Sequence, residues 1–153
     1  MDILNKPISS FSFDDVIAFC KQGFREGWQL DYKTDLPKDG LAKHFASFSN
    51  TKGGVIIIGV EEDRKTGVPA RWEGVDNNSK QIEQVNQWAS NVEPIPSYEI
   101  HPTNDVNGKI FLLVRIFEGD RTPYYVQNDP NIWIRTGNTS KPIDNASPDA
   151  IEL

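Results

Sequence analysis

Glu26, Asp31 and Lys33 are the residues whose types and spacing could do chemistry. Two carboxylates stand five apart, the second within a run of alternating apolar and polar residues from Trp28 to Lys33, with a lysine two positions further on. On a strand, residues two apart share a face, so Asp31 and Lys33 point together. Carboxylates in such an acid-x-Lys arrangement can hold a divalent ion while the lysine steadies the attacking water or the charged phosphorane, as in many metal-dependent nucleases. Glu62, with Asp63 beside it, is the candidate third acid, and it converges with the others if the Trp28 and Val55 strands lie side by side. Oxygen ligands suit Mg²⁺ or Mn²⁺ rather than zinc. The same acids also read as solvated charges at strand edges and turns.

A second constellation, Arg135, Asn138, Thr139, Ser140 and Lys141, puts a guanidinium, backbone amides and hydroxyls at the end of a strand, all of which suit phosphate. Lys33 and Lys52 add positive charge. Arg135 next to Trp133 reads equally as a residue that stacks or pairs on the sheet. Lys43 and His44 read as solvated residues of a helix face. Trp88 reads as core, and Tyr124 and Tyr125 point to opposite faces, which leaves at most one of them for stacking a base.

The elements that must position these groups are legible. Leu41, Phe45 and Phe48 recur one turn apart and give the helix predicted over 38–51 a single face to bury. Gly53 and Gly54 end it, because glycine reaches the left-handed conformation that closes a helix. Val55 to Ile58, four β-branched residues without alternation, reads as a central strand covered on both sides. Ser12 is the N-cap of an earlier helix, with Asp14 and Asp15 in its first turn, that stops near Gly23 and buries Cys20 with Phe13, Val16 and Ile17. Ser79 caps a helix with Ile82, Val85, Trp88, Ala89 and Val92 on one face. Asn107-Gly108 signals a hairpin between Tyr98–His101 and Ile110–Phe117. A second pair is predicted between Tyr124–Gln127 and Ile132–Thr136, and a short terminal helix beyond Pro142. The order gives an α+β fold, a single domain with a mixed β-sheet and helices packed against it. Residues 1–11 read as a loose lead-in, 12–145 as the domain and 146–153 as a tail.

At this point the chain resembles a known family. Asp31-Tyr32-Lys33, a helix ending in Phe48-Ser49-Asn50-Thr51-Lys52-Gly53-Gly54, and Val55-Ile56-Ile57-Ile58-Gly59-Val60 followed by acids are similar to the Schlafen AlbA-type domain, often described as DNA-binding. Pro123-Tyr124-Tyr125-Val126 and Ile132-Trp133-Ile134-Arg135-Thr136-Gly137-Asn138-Thr139-Ser140 resemble its closing pattern. The likeness spans about residues 24 to 143. Some animal Schlafen relatives cleave RNA with three acids, and the resemblance puts Glu26, Asp31 and Glu62 on those positions. Asp31 stands where that family usually has Glu, and Glu62 where it usually has Asp.

Composition bounds the rest. The chain has 153 residues, 37% of them hydrophobic, and a net charge of −6. Such a balance argues against coating nucleic acid non-specifically, because backbone affinity comes largely from Lys and Arg displacing counterions, although a local basic patch can still bind phosphate. A single cysteine forms no internal disulfide, and no run spans a bilayer, so the expected compartment is the cytosol and no membrane partner is expected. No Walker motif supports nucleotide hydrolysis. Three functions are expected from different classes. The first is a nucleic-acid-binding domain, for DNA or RNA, that contacts phosphates through Lys33, Lys52, Arg135, Asn138, Thr139 and Lys141 and needs no cofactor. The second is a ribonuclease with Glu26, Asp31 and Glu62 on Mg²⁺ or Mn²⁺ and Lys33 as stabiliser. The third is a protein-interaction module. Hairpin edges leave room for a homodimer or a place in a larger complex.

Overall fold

The computed structural model describes residues 3–143. In chain order its elements are α1 (Phe13–Lys21), β1 (Leu30–Lys33), α2 (Ala42–Asn50), β2 (Gly54–Ile58), β3 (Val60–Glu62), β4 (Pro69–Trp72), β5 (Val75–Asp76), α3 (Lys80–Ser90), β6 (Val92–Glu93), β7 (Tyr98–Pro102), β8 (Lys109–Ile110), β9 (Leu112–Ile116), β10 (Tyr125–Val126), β11 (Ile132–Thr136) and β12 (Thr139–Ile143), with a 3₁₀ turn at Ile8–Ser10. The fold is α+β. Its sheet runs β1-β2-β9-β7, with β1 parallel to β2 and the other neighbours antiparallel.

The unbroken β-branched run in β2 is explained by its two neighbours and two covered faces. Ile56 and Ile58 point into one apolar cluster with Phe45 and Phe48 of α2, Val85 and Ala89 of α3, and Leu112 and Val114 of β9. Val55 and Ile57 point into the other, with Phe13, Val16 and Phe19 of α1, Tyr32 of β1 and Leu113 of β9. Alternate side chains of one strand thus feed two cores. Cys20 is buried in the second, and burial pushes its thiol up to about 12.

Local signals worked where the chemistry was local. Ser12 accepts from the Asp15 amide at 3.1 Å and the Asp15 carboxylate accepts from the Ser12 amide at 3.0 Å, so α1 opens on a reciprocal cap. Asn107 and Gly108 both have positive φ, 54° and 83°, as the tight turn between β7 and β9 requires. Gly53, at φ 68°, closes α2 by donating to the Phe48 carbonyl at 2.8 Å.

Four expectations are corrected, and a fifth lies mostly outside the described residues. The lead-in is not loose: Ile3, Ile8 and Phe11 are buried in the second core. The predicted Trp28 strand begins at Leu30, because Trp28 and Gln29 form the tip of a turn bracketed by a bridge between Gly27 and Leu30. The helix expected over 38–51 begins only at Ala42, and it buries more than one face. Every residue from His44 to Asn50 is buried, since α2 lies between the sheet and the strands β11 and β12. The second hairpin pairs differently: β10 lies against β6, and β11 turns at Gly137-Asn138 to pair with β12. Thr139–Ile143 being strand, Pro142 lies in β12, and the expected terminal helix and the tail 146–153 fall otherwise outside the described residues.

Candidate functional site: a buried acid cluster beside a basic cleft

The site is assembled from the loop before β1, the strand itself and the end of β3. The loop is pinned at both ends: the Glu26 amide donates to the Gly67 carbonyl at 2.8 Å and the Gly27 amide to the Leu30 carbonyl at 3.0 Å. Glu26 is thereby turned back over β1, where its carboxylate oxygen accepts from the Tyr32 amide at 2.8 Å. Its carboxyl also hydrogen-bonds to Asp31 and to Glu62. The three acids singled out from the sequence therefore meet, at the edge where β1, β2 and β3 come together.

Burial, together with these two carboxyl neighbours, pushes Glu26 up to about 10. Burial alone would raise Asp31 as well. The hydrogen bond from Glu26 and the charges of Lys33 and Arg135 outweigh it and hold the Asp31 carboxyl below its ordinary value. One carboxyl is thus neutral and its neighbour ionised at neutral pH, an arrangement that shares a proton and sets an acid beside a base.

Arg135 is the counter-ion of this cluster. It has no exposed surface. Its guanidinium donates to Asp31 at 3.0 Å, to the Gly27 carbonyl at 2.9 Å and to the Leu30 carbonyl at 3.1 Å, and it lies 4.8 Å from the centre of the Phe48 ring. The expectation that Arg135 contacts phosphate is therefore corrected: every arm of its planar fork is engaged inside the protein. Lys33 lies 3.6 Å from Asp31 on the solvent side, as the two-residue spacing requires. His44 is also corrected, from a surface residue to a buried one. Its Nδ1 lies 2.8 Å from the Ser140 hydroxyl and 3.8 Å from Asp31, and burial drives its pKa down to about 3, so the ring is neutral. Ser47 and Ser140, 2.6 Å apart, continue this network from α2 to β12.

The Asn50-Thr51 pair is structural. Asn50 donates to the carbonyls of Tyr124 and Trp133 at 2.8 and 2.9 Å and accepts from the Tyr124 amide at 2.6 Å. Thr51 donates to Ser47 and accepts from the amide of Arg135 at 3.0 Å. The two residues latch the C-terminal strands onto α2 and so deliver Arg135 to Asp31.

As arranged, the acids do not fit a divalent ion. Among the described residues no group of three His, Cys, Asp or Glu side chains is disposed to hold a metal, and Asp31 is already engaged by Arg135 and Lys33 while Glu26 keeps its proton.

Beside Glu26 opens a cleft of about 440 Å³, lined by Arg25, Arg64, Lys65, Trp28 and Asn138 among others. Arg25 is held across it by donating to the Thr66 carbonyl at 2.9 Å. The turn carrying Arg64 and Lys65 is fixed by Asp63, whose carboxylate accepts from the amides of Lys65 and Thr66 at 2.8 and 3.0 Å. Among the described residues none of the three cations is ion-paired with a carboxylate. Nothing in the sequence links Arg25 to Arg64 and Lys65, because they lie about 40 residues apart in two loops that the Glu26–Gly67 and Arg25–Thr66 bonds bring together in the fold. Of the residues expected at phosphate, Asn138 lines this cleft, and Lys52, Thr139 and Lys141 are exposed elsewhere on the surface.

Among seven chains of solved structures that match is the solution structure of the N-terminal domain of a RecG-related protein from Nitrosomonas europaea. The match has a TM-score of 0.56 and 22% identity and covers 86% of this chain and 92% of that one. It shows a shared fold. No curated protein matches the chain. Among the described residues no helix is long and apolar enough to cross a membrane. The pattern described as Schlafen, AlbA_2 matches residues 24–144, across the acid cluster, the Asn50-Thr51 latch and Arg135, and the chain belongs to that family.

Proposed function

We propose that this domain binds nucleic acid through its backbone phosphates, with the cleft of Arg25, Arg64 and Lys65 as the contact surface and Asn138 in its lining, while Lys33 adds charge from the acid cluster. The observation that carries this reading is three cations, unpaired among the described residues, gathered around one opening in a chain whose net charge is −6. Local positive potential draws a polyanion whatever the sign of the whole molecule. The printed name of the structurally similar protein relates it to an ATP-dependent DNA helicase, which supports the same substrate class.

A second reading starts from the convergence of Glu26, Asp31 and Glu62: a ribonuclease in which a divalent ion would have to displace the Glu26 proton and draw Asp31 from Arg135, with Lys33 steadying charge. One experiment separates the two. Labelled single-stranded RNA, tRNA and duplex DNA are titrated with the protein between about 50 and about 200 mM salt, in Mn²⁺ or EDTA. The expected result is affinity that falls steeply with salt, ignores metal and drops about tenfold or more in the double variant Arg25→Glu/Lys65→Glu. No salt-sensitive affinity for any of the three would remove the reading. Cleavage that needs Mn²⁺ and disappears in Glu26→Gln, with the melting temperature of the variant not lowered, would establish the nuclease instead.

A further inference from the structure

Trp28 belongs to two neighbouring openings. On one side is the basic cleft. On the other is an apolar groove of about 470 Å³, formed by Ile3, Leu4, Phe19, Phe24 and Leu30 together with Trp28, and Arg25 and Gly27 line both. Phe24 and Trp28 are 48% and 50% exposed, far more than aromatic side chains that serve only as core. Phe24 is nevertheless held. Phe24 stacks on buried Phe19, with ring centroids 5.2 Å apart and planes within 18°, and its carbonyl accepts from the Tyr32 hydroxyl at 2.7 Å. Trp28 sits at the tip of the turn that Gly27 and Leu30 close. Gly27 leaves the wall between the openings bare, since a Cβ there would meet nothing within 4 Å.

Resting on the nucleic-acid reading above, we infer that this pair of openings is a single-strand subsite, in which an unpaired base seats on Phe24 and Trp28 while its flanking phosphates lie on Arg25, Arg64 and Lys65. The occupant follows from charge and shape together. An apolar protein segment would leave three unpaired cations at its edge, whereas a nucleotide brings an aromatic face and an anion joined by one sugar. The Phe24 ring, held on Phe19, and the exposed Trp28 ring offer a stacking platform whose two χ angles per side chain cost little entropy to fix, and stacking accepts any base. A base inside a duplex has no free face to offer, so the subsite selects strands with unpaired bases, of either DNA or RNA.

The test compares a labelled single-stranded 12-mer with the same strand made abasic, which keeps the phosphates and removes the stacking partner, and with a blunt duplex; DNA and RNA strands are run as separate arms. Intact protein is expected to bind the base-bearing strand about tenfold more tightly than the abasic one. Trp28→Ala is expected to erase that difference without changing duplex affinity, and Trp28→Phe to restore most of it. Trp28 is half exposed, so these variants fold, which an unchanged melting temperature checks. Equal affinity of the intact protein for base-bearing and abasic strands, with binding still weakened by Arg25→Glu, overturns the subsite and leaves phosphate binding standing. If no strand binds in a salt-sensitive way, both readings fall.

Discussion

At the scale of single residues, the acid cluster is an electrostatic structure before it is anything else. Arg135 neutralises a buried Asp31 and also satisfies two carbonyls, so removing it leaves a charge and two acceptors stranded. Arg135→Met is expected to destabilise the domain by about 3–5 kcal/mol in chemical denaturation, and Arg135→Lys to recover little, because an ammonium cannot reproduce the fork. A cost below about 1 kcal/mol would mean that Asp31 finds another partner. The titrations give a pH signature with a definite sign. Glu26 is raised on folding, so its contribution is complete below its ordinary value near 4.5 and declines as pH rises toward about 10. His44 is lowered to about 3, so its contribution is present above 6.5 and is lost as pH falls below that. Between these effects the domain is expected to be most stable near pH 5–6. Glu26→Gln should flatten the alkaline limb, gaining about 1–2 kcal/mol relative to the parent between pH 6 and 9 after allowance for partial exposure. Parallel melting profiles of parent and variant across that range would show that Glu26 ionises normally.

At the scale of elements, the hydrogen bonds of Asn50 decide the architecture. They join the end of α2 to the backbone of Tyr124 and Trp133, more than 70 residues away. Asn50→Ala removes three bonds at once, two of them buried and one partly buried, and is expected to cost about 2–4 kcal/mol, read as a lowered denaturation midpoint with an unchanged slope. A loss within about 0.5 kcal/mol would contradict the latch. The run Asn50-Thr51-Lys52-Gly53-Gly54 was legible as a helix stop because glycine chemistry is local. It was not legible as a latch, since nothing in its spacing says which distant carbonyls the amide meets. Elements with local signals, the Ser12 cap and the Asn107-Gly108 turn, fell where the sequence placed them. The pairing of β10 did not. Asn128 to Asn131 has the composition of a hairpin turn, yet Tyr125 and Val126 found an available edge in Val92 and Glu93. Arg135 carried one readable signal: period two puts it on the same face as Trp133, which packs on the core.

At the scale of the whole molecule, β2 divides two cores that depend on separate parts of the chain. The second core includes Ile3, Ile8 and Phe11, each almost fully buried, and Arg115 donates to the Ile3 carbonyl. A chain beginning at Ser12 is therefore expected to lose roughly 5 kcal/mol or more of burial and to melt well below the full chain. An unchanged melting temperature would show that the segment only rests on the domain. The acid cluster was readable from types and spacing because β1 and β2 lie side by side, as the parallel arrangement needs. The basic cleft was not, because only the folded loops bring its cations together.

The ion pair between Arg135 and Asp31 spans 104 positions of sequence. A ribosome therefore releases the acids long before it makes the cation that tames them. Until β11 docks, Asp31 has no partner from that end, and the nascent domain has every reason to keep β1 open to water. A chain interrupted before Arg135 would hold the acids of the site without the guanidinium that neutralises them.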